Sequence, residues 1–313
     1  MRTSTMLSMV QSMATSSQLH PSSQVEVHSL PDETEVGQNQ TQLSTPPLLS
    51  SLDEIKAFIY QSRDEEKPVF ASFHVSDHDL ETIYEFVQVR GFRNFRLSCS
   101  NTHNLTLRYL PGVAHHVAVR ELESAILSSI CESPHLPRNF YRMDAIVLTG
   151  AATVTLDKRD KLYKEPDGSF SSSDTFPLVV IEAGVPQFMP QMQDDARHWL
   201  QETPVNMVIL ITLGPEASGP DIDGVPMPCI QVQHFEKLAS DVDDQSRTPR
   251  IYTTLKAVWT HEDDVGDFML PGRHFFVEGT AEHEVFRAGD YPLVVKREKV
   301  LKIRRWIRKM WRS

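Results

Sequence analysis

Two carboxylates in the middle of the chain are placed where chemistry could use them. Asp167 closes the segment Tyr163-Lys164-Glu165-Pro166-Asp167, and Glu182 lies inside Pro177-Leu178-Val179-Val180-Ile181-Glu182-Ala183-Gly184. A carboxylate within an aliphatic run is costly unless something pairs with it. Two acids carried to one sheet edge by adjacent strands can share a hard cation, since Mg²⁺ takes one or two carboxylates plus waters and substrate phosphate. A metal held there polarises a phosphodiester and supplies hydroxide near neutral pH. Each acid also has a plainer account. Pro-Asp-Gly is a turn signal in any protein, and Glu182 could stand at the exposed mouth of a strand that ends at Ile181.

The elements that would position this pair can be read from pattern. Residues 1–50 are Ser-, Thr-, Gln- and Pro-rich and predict a disordered tail. Ser51 to Glu54 fits a capping box opening a helix with Leu52, Ile55, Phe58 and Ile59 on one face. A short strand over Pro68 to Phe73 follows, then a helix capped by Ser76 and a hairpin of Phe95–Cys99 with Leu105–Leu110. A longer helix from about His115 to Ile130 buries Ala118, Leu122, Ala125, Ile126 and Ile130, with His116 and Glu123 on its shoulder. Strands are expected at Ala145–Leu148 and Thr153–Leu156, and a charged turn over Asp157–Lys161. After Glu182 comes a helix with Met189, Met192, Ala196, Trp199 and Leu200 inward and Gln191, Asp194, Asp195 and His198 away from that face. Val205–Leu213 then reads as a buried strand. Strand-like pieces continue to Val295, between loops at 214–225 and 238–249, and His261-Glu262-Asp263-Asp264 reads as a solvated acidic loop.

The order of these pieces resembles the PD-(D/E)XK, or restriction-endonuclease-like, superfamily, closest to nuclease-like families common in fungi and bacteria. Leu107-Arg108-Tyr109-Leu110-Pro111 with His115-His116 resembles the family's strand, Pro and His-Glu opening. Lys164-Glu165-Pro166-Asp167-Gly168-Ser169-Phe170 resembles its Lys-x-Pro-Asp-x-x-Phe, and Pro177 to Gly184 its Pro-x-x-Val-Val-Glu-x-Gly. Asp194 to Leu200 resembles its Asp-Ala-x-x-Trp-Leu helix, and the likeness spans roughly residues 95–215. It implies an α/β fold with a restriction-endonuclease-like core, a mixed sheet flanked by helices. It implies Mg²⁺ (or Mn²⁺) on Asp167 and Glu182, and phosphodiester hydrolysis on DNA. Two positions depart from the pattern: Gly184 stands where the family has its Lys, and His116 where it has its first acid. The catalytic set implied is therefore Asp167, Glu182, His116 and Gln191, with His198 a second candidate for the Lys role. The rival expectation is a non-catalytic nucleic-acid-binding or protein-interaction module on a degenerate nuclease fold.

The expected organisation is a tail (1–50), a small α/β elaboration (51–94), the nuclease-like core (95–235), a mostly β extension (236–295) and a basic amphipathic helix (296–313). That last segment carries +8, leaving −19 of the total −11 on the rest of the chain. An acidic body repels a nucleic-acid backbone, which excludes broad coating of DNA. In the helix, Ile303, Trp306, Ile307, Met310 and Trp311 fall on one arc and Arg304, Arg305, Arg308, Lys309 and Arg312 on the other. Such a helix contacts nucleic acid, a membrane surface or a partner protein, carries a nuclear import signal, or docks on the body. Three widely spaced cysteines suggest reduced thiols and an intracellular place, nucleus or cytoplasm. No signal peptide or transmembrane helix is expected from the apolar runs.

Overall fold

Ser51 and Glu54 do close a capping box: the Glu54 N–H donates to Ser51 Oγ and the Ser51 N–H to Glu54 Oε2. It opens the first helix of a computed structural model that describes residues 50–63, 69–90, 92, 94–99, 104–109, 113–137, 146–149, 154–157, 162–172, 176–214, 228–237, 251–259 and 265–311. The tail expected over 1–50 lies outside the described residues except for Ser50, as do most of the two expected loops and the stretch His261–Asp264.

The chain runs α1 (Leu52–Arg63), β1 (Val69–His74), α2 (Asp77–Arg90), β2 (Phe95–Cys99), β3 (Asn104–Tyr109) and α3 (Val113–Cys131). Then come β4 (Val147–Leu148), β5 (Val154–Asp157), β6 (Leu162–Lys164), β7 (Gly168–Ser171) and β8 (Val179–Gly184). After a 3-10 turn follow α4 (Met189–Glu202), β9 (Met207–Gly214), β10 (Cys229–Lys237) and β11 (Ile251–Trp259). The chain closes with β12 (Phe268–Pro271), α5 (Ala281–Gly289), β13 (Pro292–Val295) and α6 (Arg297–Trp311).

The strands form a mixed α/β arrangement of two larger sheets and one hairpin. The first sheet has the order β1-β3-β2-β6-β5, the second β11-β10-β9-β8-β7-β4, and β12 pairs with β13. The second sheet is mixed, with β8 and β9 parallel across the α4 crossover and the other paired neighbours antiparallel. Parallel strands covered on both faces read as continuous apolar runs. Val179, Ile181 and Ala183 of β8 join the core shared with α3, while Val180 joins the one under α4 with Met192, Ala196, Trp199 and Leu200. Strand alternation therefore puts Glu182 on the α4 side.

The first sheet packs a separate core of Ile55, Ile59, Leu80, Ile83, Phe95, Leu97, Leu105 and Leu107. Strands on either side of residue 94 share this sheet, since β2 and β3 pair with each other and β3 with β1. The extension over 236–295 also contains α5, whose N-cap Thr280 accepts from the His283 N–H. Only the fully buried Phe286 marks its inner face, so its apolar stripe is too short to stand out in the sequence.

The C-terminal helix docks on the body. Val300, Leu301, Ile303 and Ile307 are buried in the core shared with α3, and Lys299 and Lys302 pair with Glu132 and Glu121 of α3 and its end. Of the apolar arc read from the wheel, Ile303 and Ile307 are buried and Met310 and Trp311 pack against that core, while two positions depart from the expected arcs. Arg304 is buried at 2% exposure, while Trp306 is exposed with Lys309 Nζ 4.9 Å from its ring centroid. Among the described residues no helix is long and apolar enough to cross a membrane.

Candidate functional site

Two arginines organise the site. Arg96 of β2 and Arg108 of β3 are directly opposite one another in the antiparallel register. Like charges at such a pair repel, so an acid must lie between them. The three-residue link from β6 to β7, Glu165-Pro166-Asp167, crosses from the first sheet to the second and delivers it. Arg96 Nε donates to Asp167 Oδ1 at 2.8 Å, and Arg108 donates from one terminal nitrogen to Asp167 Oδ2 at 3.1 Å. That same nitrogen donates to Glu182 Oε2 at 2.6 Å. The Ala183 N–H adds 2.7 Å to Asp167 Oδ2, and Trp199 Nε1 donates to Glu182 Oε1 at 2.8 Å. The expected pair therefore does converge, and it converges on a guanidinium.

Burial sets the charge states. Glu182 is 1% exposed, and its carboxyl is held above the ordinary value because burial outweighs the pull of Arg108, with Asp167 adding repulsion. Burial acts on Asp167 the same way. There Arg108, Arg96 and the Ala183 N–H win, and its carboxyl lies below the usual range. Arg108 is buried too, but the two carboxylates raise its pKa and keep it charged.

A lysine that the sequence reading quoted but did not place in the site lies alongside. Lys164 is 4% exposed; its Nζ donates to the Asp195 carbonyl at 2.8 Å and pairs with Asp195 Oδ1 at 3.1 Å. It also sits 4.9 Å from the Trp199 ring centroid and helps draw the Glu182 carboxyl down. Asp195, expected to lie away from the core face of α4, is thus partly buried and turned to Lys164.

The remaining expected residues separate. His116 Nε2 lies 3.2 Å from Asn94 Oδ1, and burial together with Arg96 lowers its pKa. With Asn94, Arg96, His115 and Asp167 it lines a small recess closed by Val119. Gln191 is exposed on α4 and hydrogen-bonds neither carboxylate, and His198 is exposed as well. At Gly184, where the resembled family has its Lys, an added β-carbon would meet the Met192 sulfur, so the thioether would have to move aside. Glu123 does not substitute for the missing first acid. It is 1% exposed, accepts from the Ser169 N–H at 3.2 Å, and burial pushes it up to about 7.

The donor set can be tested against the implied Mg²⁺ or Mn²⁺. Such an ion needs carboxylate oxygens about 2.1 Å away, and all four oxygens of the pair already accept from nitrogen donors. The two positive guanidiniums balance the two acids without a further cation. As arranged, the residues do not fit the metal, and no hydrolytic step is derived through one. The sequence carries part of this: Arg96 and Arg108 alternate with apolar residues in neighbouring strands and so share a polar face, but the register that sets them opposite one another is not in the pattern. Neither a scan against protein-family models nor a search of curated proteins returns a match for this chain.

Proposed function

We propose that the chain is a non-catalytic, nucleic-acid-binding module on a nuclease-like α/β core. The observation that carries this reading is the single Arg108 nitrogen bonded to both Glu182 and Asp167, at the point where a metal would lie. Binding in place of cleavage is further supported by α6, whose Lys302, Arg305, Trp306 and Lys309 are exposed on one helical stripe. Cations interleaved with an aromatic ring suit a single strand, whose phosphates meet the charges while a base stacks. The acidic remainder confines that contact to the stripe and the recess.

The test is incubation of the purified protein with plasmid and single-stranded DNA, with Mg²⁺ or Mn²⁺ present. The expected result is retention of single-stranded DNA that weakens with salt, no cleavage, and no rise in melting temperature with either metal. Metal-dependent cleavage lost in Asp167→Asn overturns the reading. That outcome would establish the second reading, a Mg²⁺- or Mn²⁺-dependent nuclease acting on DNA through Asp167 and Glu182. One observation favours it: the two acids do meet at one place, with Lys164 close enough to act on Glu182.

A further inference from the structure

The recess beside Asp167 has features that the carboxylate–arginine cluster does not use. One wall is α3 from His115 and His116 to Val119, beside a first turn that carries no acidic residue. The first N–H groups of a helix have no partner within the helix, and the aligned peptide dipoles place positive charge there. His115, in that turn, is 6% exposed, and neither of its ring nitrogens makes a hydrogen bond. A buried imidazole left without a partner is expensive. The Gly184 backbone lies near enough to favour its protonated form without completing a bond, and burial nonetheless brings the ring down to about 4. His116 and Arg96 complete a rim of donors.

From these features we infer that the recess at the start of α3 binds one oxyanion, the terminal phosphate of a nucleic-acid strand. The enclosed space is about 10 Å³, room for about one water-sized oxygen. A single phosphate oxygen enters it and takes the unused His115 N–H, while the remaining oxygens stay at the mouth near His116 and the α3 N–H groups. A helix N-terminus with convergent donors suits phosphate for this reason. The one carboxylate in the lining, Asp167, has both oxygens engaged by Arg96, Arg108 and the Ala183 N–H, so its charge is already balanced. A cation is disfavoured by Arg96 in the same wall, and among the described residues no three His, Cys, Asp or Glu side chains converge as a metal site. A terminal phosphate fits better than an internal one because it carries a second negative charge near neutral pH and has a single ester arm to clear the mouth.

This inference rests on the non-catalytic reading, since it takes the metal position as filled by Arg108. Its test is a titration of the full chain with inorganic phosphate, followed by the backbone amides of Val113–His116 and the two imidazoles in NMR spectra. A 5′-phosphorylated and a 5′-hydroxyl oligonucleotide of one sequence are then compared. Saturable shifts confined to that turn are expected, with the phosphorylated strand bound about tenfold more tightly. His115→Phe keeps the ring and removes both nitrogens, and should erase that preference. Should the variant fail to fold, the phosphate titration of the unaltered chain still decides. Absent or unsaturable shifts overturn the site, as does equal affinity for the two strands. Equal binding of both strands leaves the binding-module reading intact while removing the recess. Phosphate binding without strand binding keeps the recess and removes the nucleic-acid reading. Shifts produced by Mg²⁺ or Zn²⁺ and not by phosphate would mark a cation site and refute the inference.

Discussion

Replacing Arg108 by Met tests the central cluster most directly. The thioether chain fills much of the volume of the arginine stem, so the change removes chiefly charge and donors. Asp167 would keep Arg96 and the Ala183 N–H, whereas Glu182 would keep only the Trp199 N–H. The loss therefore falls on Glu182, a carboxylate 1% exposed with one neutral donor. Breaking a buried ion pair from one side costs about 3–5 kcal/mol. The pH dependence gives the sharper signature. Glu182 already has its carboxyl above the ordinary value, and Arg108 is the largest influence holding it down. Without Arg108 it rises further. A carboxyl raised in the folded state contributes stability that is full below its unfolded value and is lost as pH rises through the folded value. Urea denaturation should thus show a deficit relative to the unaltered chain that is small near about pH 5 and grows toward about pH 8. Adding Glu182→Gln to the variant should recover about 2 kcal/mol near about pH 8, by removing the unpaired charge. A deficit under about 1 kcal/mol, or one equal at the two pH values, would show that Arg108 does not neutralise the pair.

Other perturbations read neighbouring parts of the molecule. Trp199→Phe keeps a ring beside Lys164 but removes the N–H held by Glu182 Oε1, and should cost about 1–3 kcal/mol in chemical denaturation; a neutral result would mean that water replaces the donor. His234 is buried and brought down to about 4, chiefly by burial. A histidine depressed in this way binds its proton first in the unfolded chain, so stability falls as pH drops from about 6.5 toward about 4, and His234→Leu should flatten that limb of the melting-temperature profile. Ile303→Ala on α6 opens a void in the core shared with α3 and should cost about 2–4 kcal/mol, whereas Arg305→Ala on the exposed stripe should leave the melting temperature unchanged. Gly184→Lys, which places there the lysine of the resembled family, displaces the Met192 thioether and buries an ammonium, and should destabilise without creating metal-dependent cleavage; cleavage activity in that variant would contradict the assignment of Arg108 as the filler of the site.

Much of the fold was legible because local signals carried it. The capping residues Ser51 and Ser76 start helices as expected, accepting from the Glu54 and Asp79 N–H groups. The aliphatic runs through Ile181 and Ile209 form the buried parallel pair of the second sheet. Asp167 and Glu182 meet, each accepting from Arg108. What answered their charge could not be read, since it depends on which residues face each other across β2 and β3. Arg108 sat inside a quoted motif, but only the register setting it opposite Arg96 turns both toward Asp167. The C-terminal wheel held for Ile303, Ile307, Met310 and Trp311 and missed two positions for a related reason. Periodicity gives an arc, but the shape of α3 decides which residues enter the seam, and it admitted Arg304 while leaving Trp306 outside. Gln191 lies on the polar surface expected of α4, whereas the α4 side chains that reach Glu182 and Lys164 are Trp199 and Asp195.

The link from β6 to β7 makes the two sheets depend on one another for charge balance. Both guanidiniums come from the first sheet and Glu182 from the second, with Asp167 on the thread between them. A core excised from its leading unit would hold two inward carboxylates and no arginine to answer them, so it would fold poorly or demand a cation. The leading unit thus acts as a built-in counterion for the core. Neither half can be removed without leaving the charges of the other unanswered, and in hydrogen exchange the strands flanking that thread should open as one unit.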